Sequence, residues 1–109
     1  MARHRRPRAA RFGLPAGLGL ALALAAGCSG GPPPVTPADA ARANLALADL
    51  QDGRTLLVGR CGGCHRPPVP ADHAAREWPV MLDEMAGRAN LDLAQRHLVE
   101  VYLVTMAAR

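Results

Sequence analysis

Apolar and polar positions divide the chain into stretches of different character. Residues 12–27 are almost wholly apolar, running through Leu14, Leu18, Leu20, Leu22 and Leu24, and they follow a stretch, 2–11, with five arginines and no acid. Gly30 to Pro34 is a short Gly/Pro run, the composition of a spacer that stays extended and does not pack. Thr36-Pro37-Ala38-Asp39 reads as a helix start, with a hydroxyl cap, proline at the first helical position and a carboxylate at the third. The Ala- and Leu-rich run from Ala38 to Leu50 predicts a helix, Asp52-Gly53 an interruption or kink, and Arg54 to Arg60 a further helical stretch. Pro67-Pro68-Val69-Pro70 must be a loop. Trp78, Met81, Leu82 and Met85 then recur at i, i+3, i+4, i+7, one apolar face of a helix. Pro79 belongs in a first turn, so that helix begins near Glu77 with at most a short turn ahead of it. Asn90-Leu91-Asp92 resets the chain, and Leu91, Ala94, Leu98, Val101, Tyr102 and Val104 form the face of a final helix reaching toward Met106. No segment alternates as a strand does, so the expected class is all-α.

The first two stretches change how the charge is read. A basic segment followed by a short apolar run is an export signal. At 16 residues the run falls short of the ~20 that a membrane span requires. The whole chain is formally +4, but five of its 13 Lys+Arg residues lie before Cys28, which leaves eight arginines against nine acids. Beyond the signal the protein is close to neutral, there is no arginine–aromatic interleaving, and nucleic acid is excluded as a partner. The chain contains no lysine, so no lysine-rich docking face can form.

Candidate chemistry sits at Cys61-Gly62-Gly63-Cys64-His65. Two thiols one helical turn apart with an imidazole directly after them match what is needed to attach a haem by two thioethers while the histidine binds its iron. Other readings exist. A Cys-x-x-Cys dithiol belongs at a helix start after a strand, and here the cysteines follow a helical run. A structural zinc would need four ligands, for which Cys61, Cys64, His73 and His97 can be nominated without any knuckle-like spacing. A plain disulfide is possible in an exported chain, but leaves His65 unexplained. It also leaves a core of about 60 residues too small to be comfortable alone, which a large apolar cofactor would complete.

Two resemblances extend this reading. Leu24-Ala25-Ala26-Gly27-Cys28-Ser29 resembles the lipobox of bacterial lipoproteins, with Ala25 where leucine is commoner. It implies that Cys28 is acylated and becomes the first mature residue, and that Ser29 directs the chain to the outer membrane of a two-membrane cell. From about Leu50 to Ala107 the chain resembles a class I c-type cytochrome domain. Gly53 matches the small residue at which that family's terminal helices cross, and Tyr102 the aromatic packed over it; Leu57 departs, standing where an aromatic is common. The resemblance implies one covalent haem c on Cys61, Cys64 and His65, with a backbone carbonyl of a following proline, Pro68 being the candidate, accepting from His65 Nδ1.

The sixth iron ligand is the remaining question. Met81, Met85, Met106, His73 and His97 are the available donors. Trp78-Pro79-Val80-Met81-Leu82-Asp83-Glu84-Met85 resembles a compact bacterial subgroup in which a methionine seven residues after a tryptophan is the axial ligand, which implies Met85. The expected organisation is a signal over 1–27, a lipidated cysteine and spacer over 28–35, and a haem domain over 36–109. The expected function is that of an exported, membrane-anchored cytochrome passing single electrons between redox protein partners at the periplasmic face. Its rival is a haem protein with an open or labile sixth position, a gas sensor or minor peroxidase. No nucleophile–base pair or paired carboxylate indicates a catalytic centre independent of the haem.

Overall fold

Helix boundaries in this chain fall where local side chains satisfy free backbone groups. The computed structural model describes residues 30–63 and 65–109; the expected signal, Cys28 and Cys64 lie outside the described residues. Helix α1 spans Pro37–Ala43, α2 Leu47–Cys61, α3 Trp78–Met85 and α4 Leu93–Ala107, with single 3-10 turns at Pro70–Asp72 and Ala75–Glu77. The described residues contain no strand, and they form a small all-α domain of four helices.

The predicted cap at Thr36 is present. The Asp39 carboxylate accepts from the Thr36 backbone N–H (2.9 Å) and hydroxyl (2.7 Å), while the hydroxyl oxygen accepts from the Asp39 N–H (3.3 Å). Asp92 and Gln95 reciprocate in the same way at the start of α4. The expected interruption at Asp52-Gly53 does not occur; the break lies earlier, at Asn44. Asn44 adopts the left-handed conformation (φ 52°), which asparagine tolerates, and its N–H closes the end of α1 on Ala40 and Ala41.

Gly53 instead lies buried inside α2, where that helix crosses α4. A Cβ there would fall 2.8 Å from the Leu98 carbonyl carbon and 2.9 Å from Tyr102 Cβ, closer than any real side chain tolerates. The absence of a side chain is what lets the two longest helices touch. This approach also sets the rotation of α4. The buried positions are Val99, Tyr102, Leu103, Thr105 and Met106, while Leu98, Val101 and Val104 are half-buried and Ala94 is exposed. The inward face is therefore turned by about one residue from the expected one, because the backbone at Leu98, rather than its side chain, meets α2.

Around this crossing, Leu57, Trp78, Leu82, Val99, Tyr102, Leu103 and Met106 form one core. Met106, expected at a frayed helix end, is buried in it. Arg96 binds α4 to α3 by donating to the Pro79 carbonyl (3.1 Å) and to Asp83 (2.6 Å), and it also pairs with Glu100. Asp83 is thus a partner in an interhelical bridge, although it is largely exposed.

The Gly/Pro run also departs from expectation. Pro32 is buried, and Val35 packs against the core. Arg54 Nε donates to the Pro32 and Pro33 carbonyls (3.0 and 3.2 Å), and the Tyr102 hydroxyl donates to Pro33 (2.7 Å). Arg109 reaches the Pro34 carbonyl (3.3 Å). Consecutive prolines offer carbonyls without competing N–H groups, and three donors of the folded domain take them up. Burial pushes the Tyr102 phenol up to about 12, so it stays a donor across the physiological range.

Gly53→Ala is expected to lower stability by about 1–3 kcal/mol, the cost of overpacking a close contact. Gly59→Ala, in the same helix but with open space around it, should raise stability by about 0.5–1 kcal/mol through helix propensity. Urea denaturation of both variants tests the contrast, and equal effects would remove the crossing as the cause.

A second expectation concerns Asp39, whose carboxyl is held well below its ordinary value of 3.8, chiefly by Arg109, then by Thr36, with a smaller contribution from Arg42. A carboxyl depressed on folding contributes stability that is complete above the unfolded value and is lost as pH falls through it toward the folded one. Urea midpoints should therefore decline below about pH 4. Asp39→Asn should start lower at neutral pH and show a shallower acid limb.

Candidate functional site

The end of α2 delivers Arg60 and Cys61 to one side of the domain, and the turn after it brings His65 back beside them. Met85 is the last residue of α3, and the chain following it carries Arg88 and Ala89 past the same place. Arg60, Cys61, His65, Met85, Arg88 and Ala89 line one cavity of about 270 Å3. Ligand pockets usually occupy about 300–1,000 Å3, so this one is small for a porphyrin-sized group. Such a group would fill it and extend past its mouth.

His65 is exposed, and its Nδ1 lies 2.7 Å from the backbone carbonyl of Arg66. A carbonyl can only accept, so Nδ1 carries the hydrogen and Nε2 keeps its lone pair. This is the tautomer a metal-binding histidine requires. The acceptor is Arg66 rather than the expected Pro68. The Arg66 carbonyl lies immediately after the ring in the irregular stretch 66–69, outside any helical ladder, and is open to it.

Cys61 is half-buried against the core, and burial pushes its thiol up, so that it is neutral at neutral pH. Met85 is also half-buried. A thioether, an imidazole nitrogen and a thiol thus share one space, and among the described residues its remaining side-chain polar groups are two guanidiniums and no carboxylate. Soft sulfur and borderline imidazole donors suit iron and do not suit a hard cation such as calcium or magnesium. An imidazole and a thioether are donors for iron, and equally for copper or zinc.

The other candidate donors lie elsewhere. Met81 packs on the core and opens onto a separate cleft with His73, Arg76, Glu77 and Val80, although sequence spacing put it on one face with Met85. His73 meets the Trp78 ring edge-on, with centroids 4.9 Å apart, and approaches Glu77 at 3.9 Å. Met106 is buried in the core, and His97 is exposed on α4. Among the described residues no three His, Cys, Asp or Glu side chains converge as metal ligands. A larger cleft of about 440 Å3 runs between α1 and α4, but Arg42, Leu45, Glu100, Val101 and Val104 line it and no sulfur or imidazole reaches it.

Trp78 acts behind the cavity rather than in it. It is fully buried, and its Nε1 donates to the Pro70 carbonyl (3.1 Å), fastening the loop after His65 to the start of α3. Arg60 and the Arg66 carbonyl were not singled out by sequence reasoning. The only signal for Arg60 was its place directly before Cys61, and Arg66 carried none. No family model, curated protein or solved structure matches this chain.

Trp78→Phe should keep the helices while leaving the Pro70 carbonyl unpaired in a buried place, at a cost of about 1–3 kcal/mol. Amide exchange should accelerate selectively over 66–72. An unchanged loop would show that the tryptophan holds the core alone.

Proposed function

We propose that this chain is an exported, lipid-anchored c-type cytochrome that passes single electrons between redox protein partners. Cys61 and Cys64 would hold a haem c by two thioethers, and His65 and Met85 would bind its iron. The observation that supports this reading is the meeting of Cys61, His65 and Met85 on one cavity, while Met81, Met106, His73 and His97 point elsewhere. The class I cytochrome likeness gains support from Gly53, whose close approach to Leu98 and Tyr102 is what that family's helix crossing needs.

When bound, the haem supplies an iron that cycles between ferrous and ferric states. The chain's residues set the conditions for that cycle. His65 keeps Nε2 available because Arg66 holds the Nδ1 hydrogen, and Met85 offers a neutral thioether, which favours the ferrous state relative to a second imidazole. Arg60 and Arg88 bring positive charge to the cavity mouth, where they can balance anionic groups. With His65 and Met85 both on the iron, no position on it would be left for a substrate. The lipobox-like run ending at Cys28 supports export and anchoring at the periplasmic face, in the outer membrane where a cell has two.

The absorption spectrum of the purified protein tests this reading. The expected result is the spectrum of a thioether-linked haem, with the ferric charge-transfer band of iron–methionine bonding. Met85→Ala should lose that band, lower the reduction potential and bind carbon monoxide rapidly once reduced. Absence of a covalent haem rejects the cofactor. Retention of the band in the variant removes Met85 as ligand, and rapid carbon monoxide binding by the unaltered protein favours the gas-sensor or peroxidase reading.

A further inference from the structure

We propose that the end of the domain around Gly30 and Gly31 rests directly on a lipid surface, so that the domain works at a fixed height and orientation beside its anchor. The proposal depends on the acylation of Cys28 given above. It arises from the docking of the proline run. With the chain fastened from Pro32 onward by Arg54, Tyr102 and Arg109, only the residues between Cys28 and Pro32 are left to act as a tether. Four peptide steps reach no more than about 14 Å whatever their conformation, half of what an undocked spacer running to residue 36 would allow.

The place where the chain enters the domain defines which face is held down. Gly30, Gly31 and Pro33 share a shallow groove of about 430 Å3 with Val69, Pro70, Ala71, Met106, Ala107 and Arg109. The exposed margin of that face, from the loop Val69–Ala71 to the last residues of α4, therefore lies within the tether's reach of the acyl chains. Its chemistry is compatible with headgroups. Among the described residues no acid lines the groove; Arg109 is paired there with Asp39, and Asp72 caps the adjoining loop at Val69, so the face is close to neutral and suits zwitterionic headgroups. The groove has no residue in common with the cavity of Cys61, His65 and Met85.

Hydrogen exchange of the full acylated protein tests this, comparing vesicles of phosphatidylcholine and phosphatidylglycerol with a detergent solution. The expected result is several-fold slower exchange on vesicles at the amides of Val69, Ala71 and Ala107 to Arg109, with none at Arg88 and Ala89. Inserting a twenty-residue Gly/Ser segment between Ser29 and Gly30 should abolish the difference while the helical content is unchanged. A combined Arg54→Ala, Tyr102→Phe variant, which frees the proline run, should reduce it. Equal exchange on vesicles and in detergent, in protein whose N-terminal peptide is acylated by mass, overturns this inference and leaves the anchored cytochrome intact. An unacylated Cys28 overturns both the anchor and the lipid contact, while the haem spectrum reports separately on the electron carrier.

Discussion

The contact between α2 and α4 at Gly53 is the constraint on which the rest of this small domain depends. Dispersion and hydrophobic burial act only over contact distances, so two helices separated by even one extra methyl would lose much of their shared surface. Because Gly53 has no Cβ, the Leu98 carbonyl and the Tyr102 stem sit against the α2 backbone. That approach sets the rotation of α4, and the rotation decides that Val99, Leu103 and Met106 face Trp78, Leu82 and Leu57. It also aims the Tyr102 hydroxyl at Pro33, so the same contact decides where the N-terminal segment is held.

The candidate site inherits its geometry from that frame. Cys61 ends the helix that Gly53 positions, and Met85 ends the helix that Trp78 starts and Arg96 ties to α4. Two helix ends from different parts of the sequence thus converge, with His65 turned in between by a single hydrogen bond. The core above is made of ordinary aliphatic and aromatic packing, but the cavity lining is not. It brings together a thiol, a thioether and an imidazole and leaves two arginines at its mouth. A well-packed half thus stands beside a half that keeps a cavity of about 270 Å3.

Much of this was legible in the sequence wherever the cause was local. The cap at Thr36, the restart at Asp92 and the helix opening at Trp78-Pro79 are decided by neighbours within four residues, and they stand where the pattern put them. The all-α class follows from the same periodicities. Gly53 and Tyr102 were recognisable as a pair, yet glycine also breaks helices, and composition alone could not say which role the fold uses. The choice fell to Asn44, whose left-handed turn carries little sequence signal. The docked prolines and the rotation of α4 were hidden for another reason. Each depends on a partner brought near by folding, Arg54 and Tyr102 in the first case and Leu98 in the second. Met85 and Met81 show the limit most clearly. Their four-residue spacing predicts one shared face, but packing sends them into different spaces.

The clasp of Arg109 on Asp39 and Pro34 joins the two ends of the described chain. A pull applied from the N-terminal side would first load this clasp and the Arg54 and Tyr102 bonds beside it, and would pass from there into the C-terminal helix in shear. Helix α2 would feel it at Arg54, two turns before Cys61, and at Gly53, against which Tyr102 packs. Tension on the N-terminal segment is thus shared between the C-terminal helix and the middle of α2 before it reaches Cys61.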